Sequence, residues 1–282
     1  MLAEVLIPLV IAIATLVPVS VAVFVGRERL ARTRAEWRSR LRTTAPVIAV
    51  LIVVLLINRV ARQMAPEISR EIGYHLTAMF YNIEGEFILI FQSIATAELT
   101  AYFSTIYVYG YTFLLIFPVV AYFTLSDTRM FRRLLTAYAL NYMIGLILYI
   151  LVIAYGPRNI MPAELAPTML YDTHPQYQYL TSEVNTNTNV FPSLHTSMSA
   201  TVAAFAAMTR SSFPKWFPVA VVLAASVATS TMYLGIHWGI DVTAGLLLAA
   251  FCVTASDRLV GRWSISERFG DQLSQLWDRK LE

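Results

Sequence analysis

The stretch LLTAYALNYMIGLILYILVIAY, residues 134–155, contains no charged side chain. A run of about 17 to 25 apolar residues is long enough to cross the hydrocarbon core of a bilayer as a helix. The sequence therefore predicts an all-α fold, a polytopic membrane helix bundle of about seven transmembrane helices. The other predicted spans are 2–25, 45–65, 105–125, 194–210, 216–234 and 238–256.

The composition excludes a soluble globular protein. Hydrophobic residues make up 57% of the 282 residues, charged residues 14%, and the mean hydropathy is +0.59. The net charge of +3 is small, so we expect a membrane bilayer and no nucleic acid as partner. Cys252 is the single cysteine, which excludes an intramolecular disulfide. No oligomeric state is specified by these features.

The basic residues orient the predicted spans. All but four of the 21 Lys and Arg residues fall in segments that lie on one side of the membrane if the seven spans are correct. The positive-inside rule makes that side cytoplasmic, with the N-terminus outside and the C-terminus inside, and we expect a plasma-membrane location. The basic segments are 26–44, 126–133, 210–215 and 257–282; the four exceptions are Arg59, Arg62, Arg70 and Arg158.

The segment from Glu86 to Phe103 is apolar enough to resemble a further span. Counting it as a crossing would place the basic segments 26–44 and 126–133 on opposite sides, so we interpret it as an interfacial helix on the outer surface. The predicted organisation is then two N-terminal spans with a basic loop, an outer interfacial segment, a catalytic helix bundle and a cytoplasmic tail. Their bounds are 1–65, 66–104, 105–256 and 257–282.

Three segments with chemically capable residues converge on the extracytoplasmic side of this arrangement. They are 155–159 at the end of the fourth span, 191–195 at the start of the fifth, and 230–241 between the sixth and seventh. Ionisable groups at such depth usually face the bundle interior and carry function. An anionic substrate bound there would depend on the four arginines of that side or on helix N-termini.

Each residue of this cluster has a chemical role available. Pro192 and Ser193 are typical of a helix start, where free amides and a hydroxyl form an anion site. His195 follows within one turn and is placed to donate a proton to a leaving oxygen. His237 and Asp241 are four residues apart and share a helical face. The carboxylate can keep one imidazole nitrogen protonated and leave the other free to attack.

Simpler interpretations exist for each motif taken alone. A His-x-x-x-Asp pair can be a structural hydrogen bond, a serine at a helix start can be only a cap, and Arg158 can be a snorkelling boundary residue. The loop 159–190, rich in Tyr, Thr and Asn, is either a polar lid or a plain connector. The shared side and spacing of the three segments favour a functional site.

The residues of 191–195 and 230–241 resemble motifs of the phosphatidic-acid phosphatase type 2 superfamily, which includes the vanadium haloperoxidases. That family has Lys-x6-Arg-Pro, then Pro-Ser-Gly-His, then Ser-Arg-x5-His-x3-Asp. Phe-Pro-Ser-Leu-His at 191–195 and Ser230 to Asp241 are similar to the second and third motifs. Leucine in place of glycine looks closest to the inositol phosphorylceramide synthase-like branch.

This resemblance implies a metal-independent lipid phosphatase or phosphotransferase that uses no cofactor. His237 would be the nucleophile that forms a phosphohistidine, Asp241 its orienting partner and His195 the general acid. Phosphate-binding roles would fall to Ser193, Arg158, Ser230 and Thr231. The substrate would be a lipid phosphate or phosphodiester at the extracytoplasmic leaflet, with water or an alcohol as acceptor.

The chain departs from the family pattern at the cations. The family's lysine would fall at Leu151 and its second arginine at Thr231, and Asn159 replaces the proline after Arg158. We therefore expect Arg158 and helix N-termini to supply most of the neutralisation, with Arg59 or Arg62 reaching in from the second span.

Two alternative functions remain open at this point. The residues His195, His237 and Asp241 are of zinc-compatible type, which would make a metal site. A membrane transporter or lipid-binding protein would use the same polar cluster as a substrate site, and this alternative predicts internal repeats or broken helices near the midplane. The sequence contains no convincing repeat, and its polar residues gather at one membrane face.

Overall fold

The structure of the protein is a computed structural model that describes residues 2–165, 188 and 190–262. Most of the predicted polar loop 159–190 and of the predicted tail 257–282 lies outside these described residues. Helices dominate the described part, and the one sheet found there is a pair of two-residue strands. This architecture confirms the predicted all-α fold class.

Twelve helices, one π-helical turn and two short strands make up the described residues. In chain order they are α1 (Leu2–Phe24), α2 (Arg27–Ile72), β1 (Tyr74–His75), α3 (Thr77–Glu84), α4 (Leu89–Gln92), α5 (Ala97–Thr105), a π-helical turn (Ile106–Gly110), α6 (Tyr111–Phe123), α7 (Arg129–Leu151), β2 (Val152–Ile153), α8 (Pro157–Ile160), α9 (Pro162–Leu165), α10 (Leu194–Met208), α11 (Trp216–Tyr233) and α12 (Gly239–Arg262).

Six helical segments in the described residues are long and apolar enough to cross a membrane. They correspond to six of the seven predicted spans. The remaining predicted span, 194–210, forms α10, which has 15 residues and is too short to count among the six. It is short because the chain before Ser193 is not helical and the helix ends at Thr209. Most of its side chains are buried between neighbouring helices, so it needs little contact with lipid.

The predicted basic loop 26–44 is helical and continuous with the second span. Together they form α2, which has 46 residues. At 1.5 Å per residue this helix is about 69 Å long, more than twice the ~30 Å thickness of the hydrocarbon core. Its arginine-rich half therefore extends beyond the membrane. Arginine, alanine, glutamate and leucine are good helix formers, which explains why this polar half does not unwind.

The segment 86–103 does not form a separate span. Its first half contains the short helix α4, and its second half begins a continuous helical segment, Ala97–Phe123, that includes the π-helical turn. The third span therefore starts at Ala97 and not near residue 105. The Thr96 side chain accepts a hydrogen bond from the backbone N–H of Leu99 at 3.2 Å, and this cap fixes the earlier start.

Contacts between the basic segments place them at one end of the bundle. Arg29 donates to the Ser212 carbonyl at 2.8 Å, and Arg40 donates to the Phe123 carbonyl at 3.1 Å. Asp257 accepts ion pairs at 3.2 Å from Arg129 and Arg133. The residues 155–159, 191–195 and 234–238 lie at the other ends of the same helices, so the basic segments and the candidate site occupy opposite ends.

Candidate active site

The three predicted site segments are in direct backbone contact. The Arg158 N–H donates to the Gly235 carbonyl at 2.9 Å, and the Ser193 N–H donates to the Asp241 carbonyl at 3.0 Å. Gly156 lies so close to the turn that a Cβ atom there would be 2.2 Å from the Ile236 carbonyl oxygen. The structure therefore brings together the three segments that sequence analysis assigned to one site.

A tight turn between α11 and α12 presents His237. The Thr231 carbonyl accepts hydrogen bonds from the backbone N–H groups of Ile236 and His237, each at 3.0 Å. Gly235 adopts a φ of +63°, a conformation that glycine takes without a steric penalty. The end of α11 thus fixes the position of the imidazole before α12 begins.

The His237 imidazole lies against the Asp241 carboxylate. Nδ1 of His237 is 3.4 Å from Oδ2 of Asp241, and the two residues are 2% and 0% exposed. The same carboxylate oxygen accepts a hydrogen bond from the Trp238 N–H at 2.8 Å. This bond holds the carboxylate beside the imidazole, although Nδ1 of His237 makes no hydrogen bond to it in this structure. The role of Asp241 as the orienting partner stays a prediction.

The environment of His237 favours its neutral form. Burial lowers the pKa of the imidazole to about 3, and the charge of Arg158 acts in the same direction, while a hydrogen bond with the Val190 backbone opposes them. The pKa of the imidazole lies below its ordinary value, so at neutral pH the ring is neutral, with one nitrogen protonated and the other not. Only an unprotonated imidazole nitrogen has the lone pair that nucleophilic attack requires.

The second histidine, His195, lies in the first turn of α10 and packs against two tyrosines. Its ring centroid is 4.4 Å from that of Tyr107, with the planes 19° apart, and 4.2 Å from that of Tyr111. It also interacts electrostatically with His237. The two histidines therefore belong to one site, although His195 lies on α10 and His237 in the turn between α11 and α12.

Tyr107 and Tyr111 are site residues that the sequence did not indicate. They lie in the π-helical turn and directly after it. π-Helical turns inside α-helices occur frequently at functional sites, but hydrophobic periodicity gives no signal for them. The turn changes the direction of the side chains that follow it, and here it carries two aromatic rings to His195.

The hydroxyls predicted to bind phosphate are engaged within their own helices. Ser193 caps α10, its Oγ accepting from the Thr196 N–H at 3.3 Å. Ser230 donates to the Val227 carbonyl and Thr231 to the Ala228 carbonyl, each at 2.7 Å. Ser193, Ser230 and Thr231 are all 0% exposed. Their phosphate-binding role stays a prediction, and in this structure they shape the backbone around the two histidines.

Glu84 is a site residue that sequence analysis did not identify. Its carboxylate accepts from the Gly239 N–H at 2.7 Å and from the Ile240 N–H at 2.9 Å. These two N–H groups are the first backbone amides of α12. The first N–H groups of a helix have no partner within the helix, and the helix dipole favours a negative charge beside them. Glu84 therefore occupies the N-terminus of α12, so this helix end is not open to an anion.

Removing this carboxylate is expected to loosen the catalytic turn. The Glu84→Ala variant should lower the free energy of unfolding by about 1.5 to 3 kcal/mol, since it deletes two charge-assisted hydrogen bonds. Thermal unfolding of the purified protein in detergent measures the effect. Glu86→Ala is the matched control, because Glu86 is an exposed glutamate two residues away. Equal midpoints for the two variants would contradict the anchoring role.

The geometry gives no support to the zinc alternative. Within the described ranges, no three His, Cys, Asp or Glu side chains are grouped so that they could hold a metal ion.

The fold and the site together define a membrane helix bundle with a His–His–Asp cluster at one end of its helices. A family model described as the PAP2 superfamily matches residues 81–255, which is more than half of the chain. The protein belongs to this superfamily, as the motif resemblance predicted. No curated protein and no solved structure matches the chain significantly. Membership supports a phosphatase-type or phosphotransferase-type activity on phosphate esters in a membrane context.

Proposed function

We propose that the protein is a metal-independent lipid phosphatase or phosphotransferase that works through a phosphohistidine on His237. The observation that carries this proposal is the buried His237 imidazole 3.4 Å from Asp241, with His195 and Arg158 close enough to interact with it electrostatically. An oriented nucleophile, a nearby proton donor and a cation are the groups that phosphoryl transfer needs.

The first half-reaction forms the covalent intermediate. The free imidazole nitrogen of His237 attacks phosphorus, an N–P bond forms, and the P–O bond to the leaving group breaks. His195 must carry a proton at the start of this step; the negative charge of the bound phosphate stabilises that proton against the burial of the ring, and His195 then gives it to the departing oxygen. Asp241 stabilises the positive charge that develops on the His237 ring.

The second half-reaction returns the enzyme to its starting state. Water or an alcohol attacks the phosphorus, His195 takes the proton of the attacking hydroxyl, and the N–P bond breaks. Water gives hydrolysis, and an alcohol such as a sugar-like or inositol-like headgroup gives transfer. The transfer outcome corresponds to the inositol phosphorylceramide synthase-like branch.

One packing feature accommodates the leucine on which the likeness to that branch rests. Leu194 occupies the position of glycine in the family's Pro-Ser-Gly-His motif, and its side chain lies directly over Gly145 of α7. A Cβ atom at position 145 would be 2.7 Å from Leu194 Cδ2. The glycine on the neighbouring helix thus leaves room for the leucine side chain, and a larger residue at position 145 would clash with it.

We place the reaction at the extracytoplasmic leaflet of the plasma membrane. The site lies at the end of the bundle opposite the arginine-rich segments, and the positive-inside rule assigns those segments to the cytoplasm. A lipid substrate is favoured because the segment next to the site exposes apolar side chains. Examples are Ile83, Phe87 and Ile90, all of which are exposed.

Trapping of the intermediate tests this function. Purified protein is incubated with ³²P-labelled phosphatidic acid, isoprenyl diphosphate or a headgroup-labelled phosphatidylinositol-type donor, then quenched at alkaline pH. Protein-bound phosphate that is stable to base and released by acid is expected, with and without a chelator. Turnover that a chelator stops would favour metal chemistry. No turnover of any donor, together with unchanged transport or binding in His237→Ala, would favour the transporter or lipid-binding alternative.

A further inference from the structure

The candidate site contains too little positive charge if Arg158 acts alone. A phosphate ester carries up to about two negative charges, and phosphoryl-transfer sites neutralise them with Arg, Lys or metal ions. The chain has four arginines at this end of the bundle. Two of them, Arg59 and Arg70, are exposed, whereas Arg62 and Arg158 are partly buried.

Arg62 lies on the face of α2 that packs against the bundle. The buried residues of this half of the helix recur at helical spacing and define that face: Val54, Asn58, Ala65 and Ser69. Arg62 follows Asn58 by four residues, which is one helical turn. Arg59 is three residues before Arg62 and is exposed, so it lies further from the buried face than Arg62 does.

Hydrogen bonds fix the depth at which Arg62 meets α7. The Asn58 side chain donates to the Tyr142 carbonyl at 3.1 Å, which ties α2 to α7 one turn below Arg62. Above it, just past the end of α2, the strands β1 and β2 pair in parallel. The guanidinium is therefore held at the level where α7 enters the site.

The Arg62 guanidinium stacks over a tyrosine of the site. Its Cζ is 5.4 Å from the centroid of the Tyr149 ring. The Tyr149 hydroxyl interacts with the backbone of Leu194, the first residue of α10 and the neighbour of His195. Arg62 also interacts electrostatically with His195 itself and with Tyr142. Arg62 thus contacts Tyr149, and Tyr149 in turn contacts the N-terminus of α10.

We propose that Arg62 binds the phosphate of the substrate and, together with Arg158, neutralises its charge above the α10 N-terminus. The inference rests on the proposed function. It assigns part of the phosphate site to α2, which lies outside the region 81–255 matched by the PAP2 family model. The N-terminal helix pair then supplies a group that the motifs of the catalytic bundle do not contain.

Orthovanadate, a phosphate mimic, and labelled phosphatidic acid test the proposal on the full chain. In Arg62→Ala, the inhibition constant for orthovanadate and the KM for the lipid should each rise about 10- to 100-fold, the effect of losing a charge-assisted hydrogen bond. Arg62→Lys should fall between Arg62→Ala and the unaltered protein, because lysine keeps the charge and loses the bidentate geometry.

Arg34→Ala is the matched control, since it removes an equal charge from an exposed position of the same helix, at the end far from the site. It should leave both constants unchanged. The midpoint of thermal unfolding distinguishes a binding role of Arg62 from a structural one. If Arg62→Ala lowers this midpoint and leaves the inhibition constant and the KM unchanged, the proposal is overturned and Arg62 only stabilises the fold by stacking on Tyr149. If the unaltered protein neither turns over lipid phosphates nor binds vanadate, the proposed function itself fails. If it does both and Arg62→Ala matches it, the proposed function stands and the role of Arg62 is refuted.

Discussion

The His237→Ala variant is expected to lose turnover of phosphate esters by on the order of 10⁴- to 10⁶-fold, since removal of a nucleophile in comparable enzymes has effects of this size. No covalent intermediate can form without the imidazole nitrogen. The ³²P signal on the protein should vanish together with steady-state turnover. Both are measured on protein purified in detergent with the same labelled donor.

The folding of this variant needs its own measurement, because His237 is 2% exposed and alanine leaves a cavity. The His237→Gln variant fills more of the space and cannot form a phosphohistidine, so it should be equally inactive with a thermal midpoint closer to that of the unaltered protein. Substantial activity in either variant would refute the nucleophile assignment. Phosphate trapped on His195 in place of His237 would refute it as well.

The second large effect concerns His195 and depends on the leaving group. With a lipid phosphate, whose leaving group is an alcohol, His195→Ala should reduce kcat by roughly 10²- to 10⁴-fold through loss of general-acid catalysis. With a 4-nitrophenyl phosphate substrate the loss should be far smaller, because nitrophenolate departs without a proton. The ratio of the two rate losses is the quantity to measure.

His75→Ala serves as the matched control, since His75 is an exposed histidine at the same end of the bundle. It should leave both substrates unaffected. An equal loss for the two leaving groups in His195→Ala would show that His195 binds or positions the substrate and does not donate the proton. That result would leave the role of His237 intact.

The features that follow from chain composition and periodicity were predictable. Long apolar runs marked six of the spanning helices, and the motif spacing identified three segments that lie in backbone contact, as Arg158 with Gly235 and Ser193 with Asp241 demonstrate. Each of these signals is local in sequence. The PAP2 superfamily was predicted from the same motifs and is confirmed by the family match.

The features that depend on contacts between distant segments were not predictable. Glu84 lies 155 residues before Gly239 in sequence, and nothing in its neighbourhood indicates a role at the α12 N-terminus. The π-helical turn that brings Tyr107 to His195 has no signature in hydropathy. The early start of the third span depends on one cap at Thr96, which a hydropathy window does not resolve.

The small β1–β2 pair makes the N-terminal helices inseparable from the rest of the chain. Tyr74 pairs with Val152 and His75 with Ile153, and the Leu76 N–H donates to the Ile153 carbonyl at 3.0 Å. Near lipid, a backbone group that loses its partner has little water to replace it. In a chain shortened to begin at residue 81, where the family match starts, the backbone groups of Val152 and Ile153, which lead into Arg158, would lose their hydrogen-bond partners. Homologues or engineered versions that lack the first two helices must therefore close this edge with some other segment.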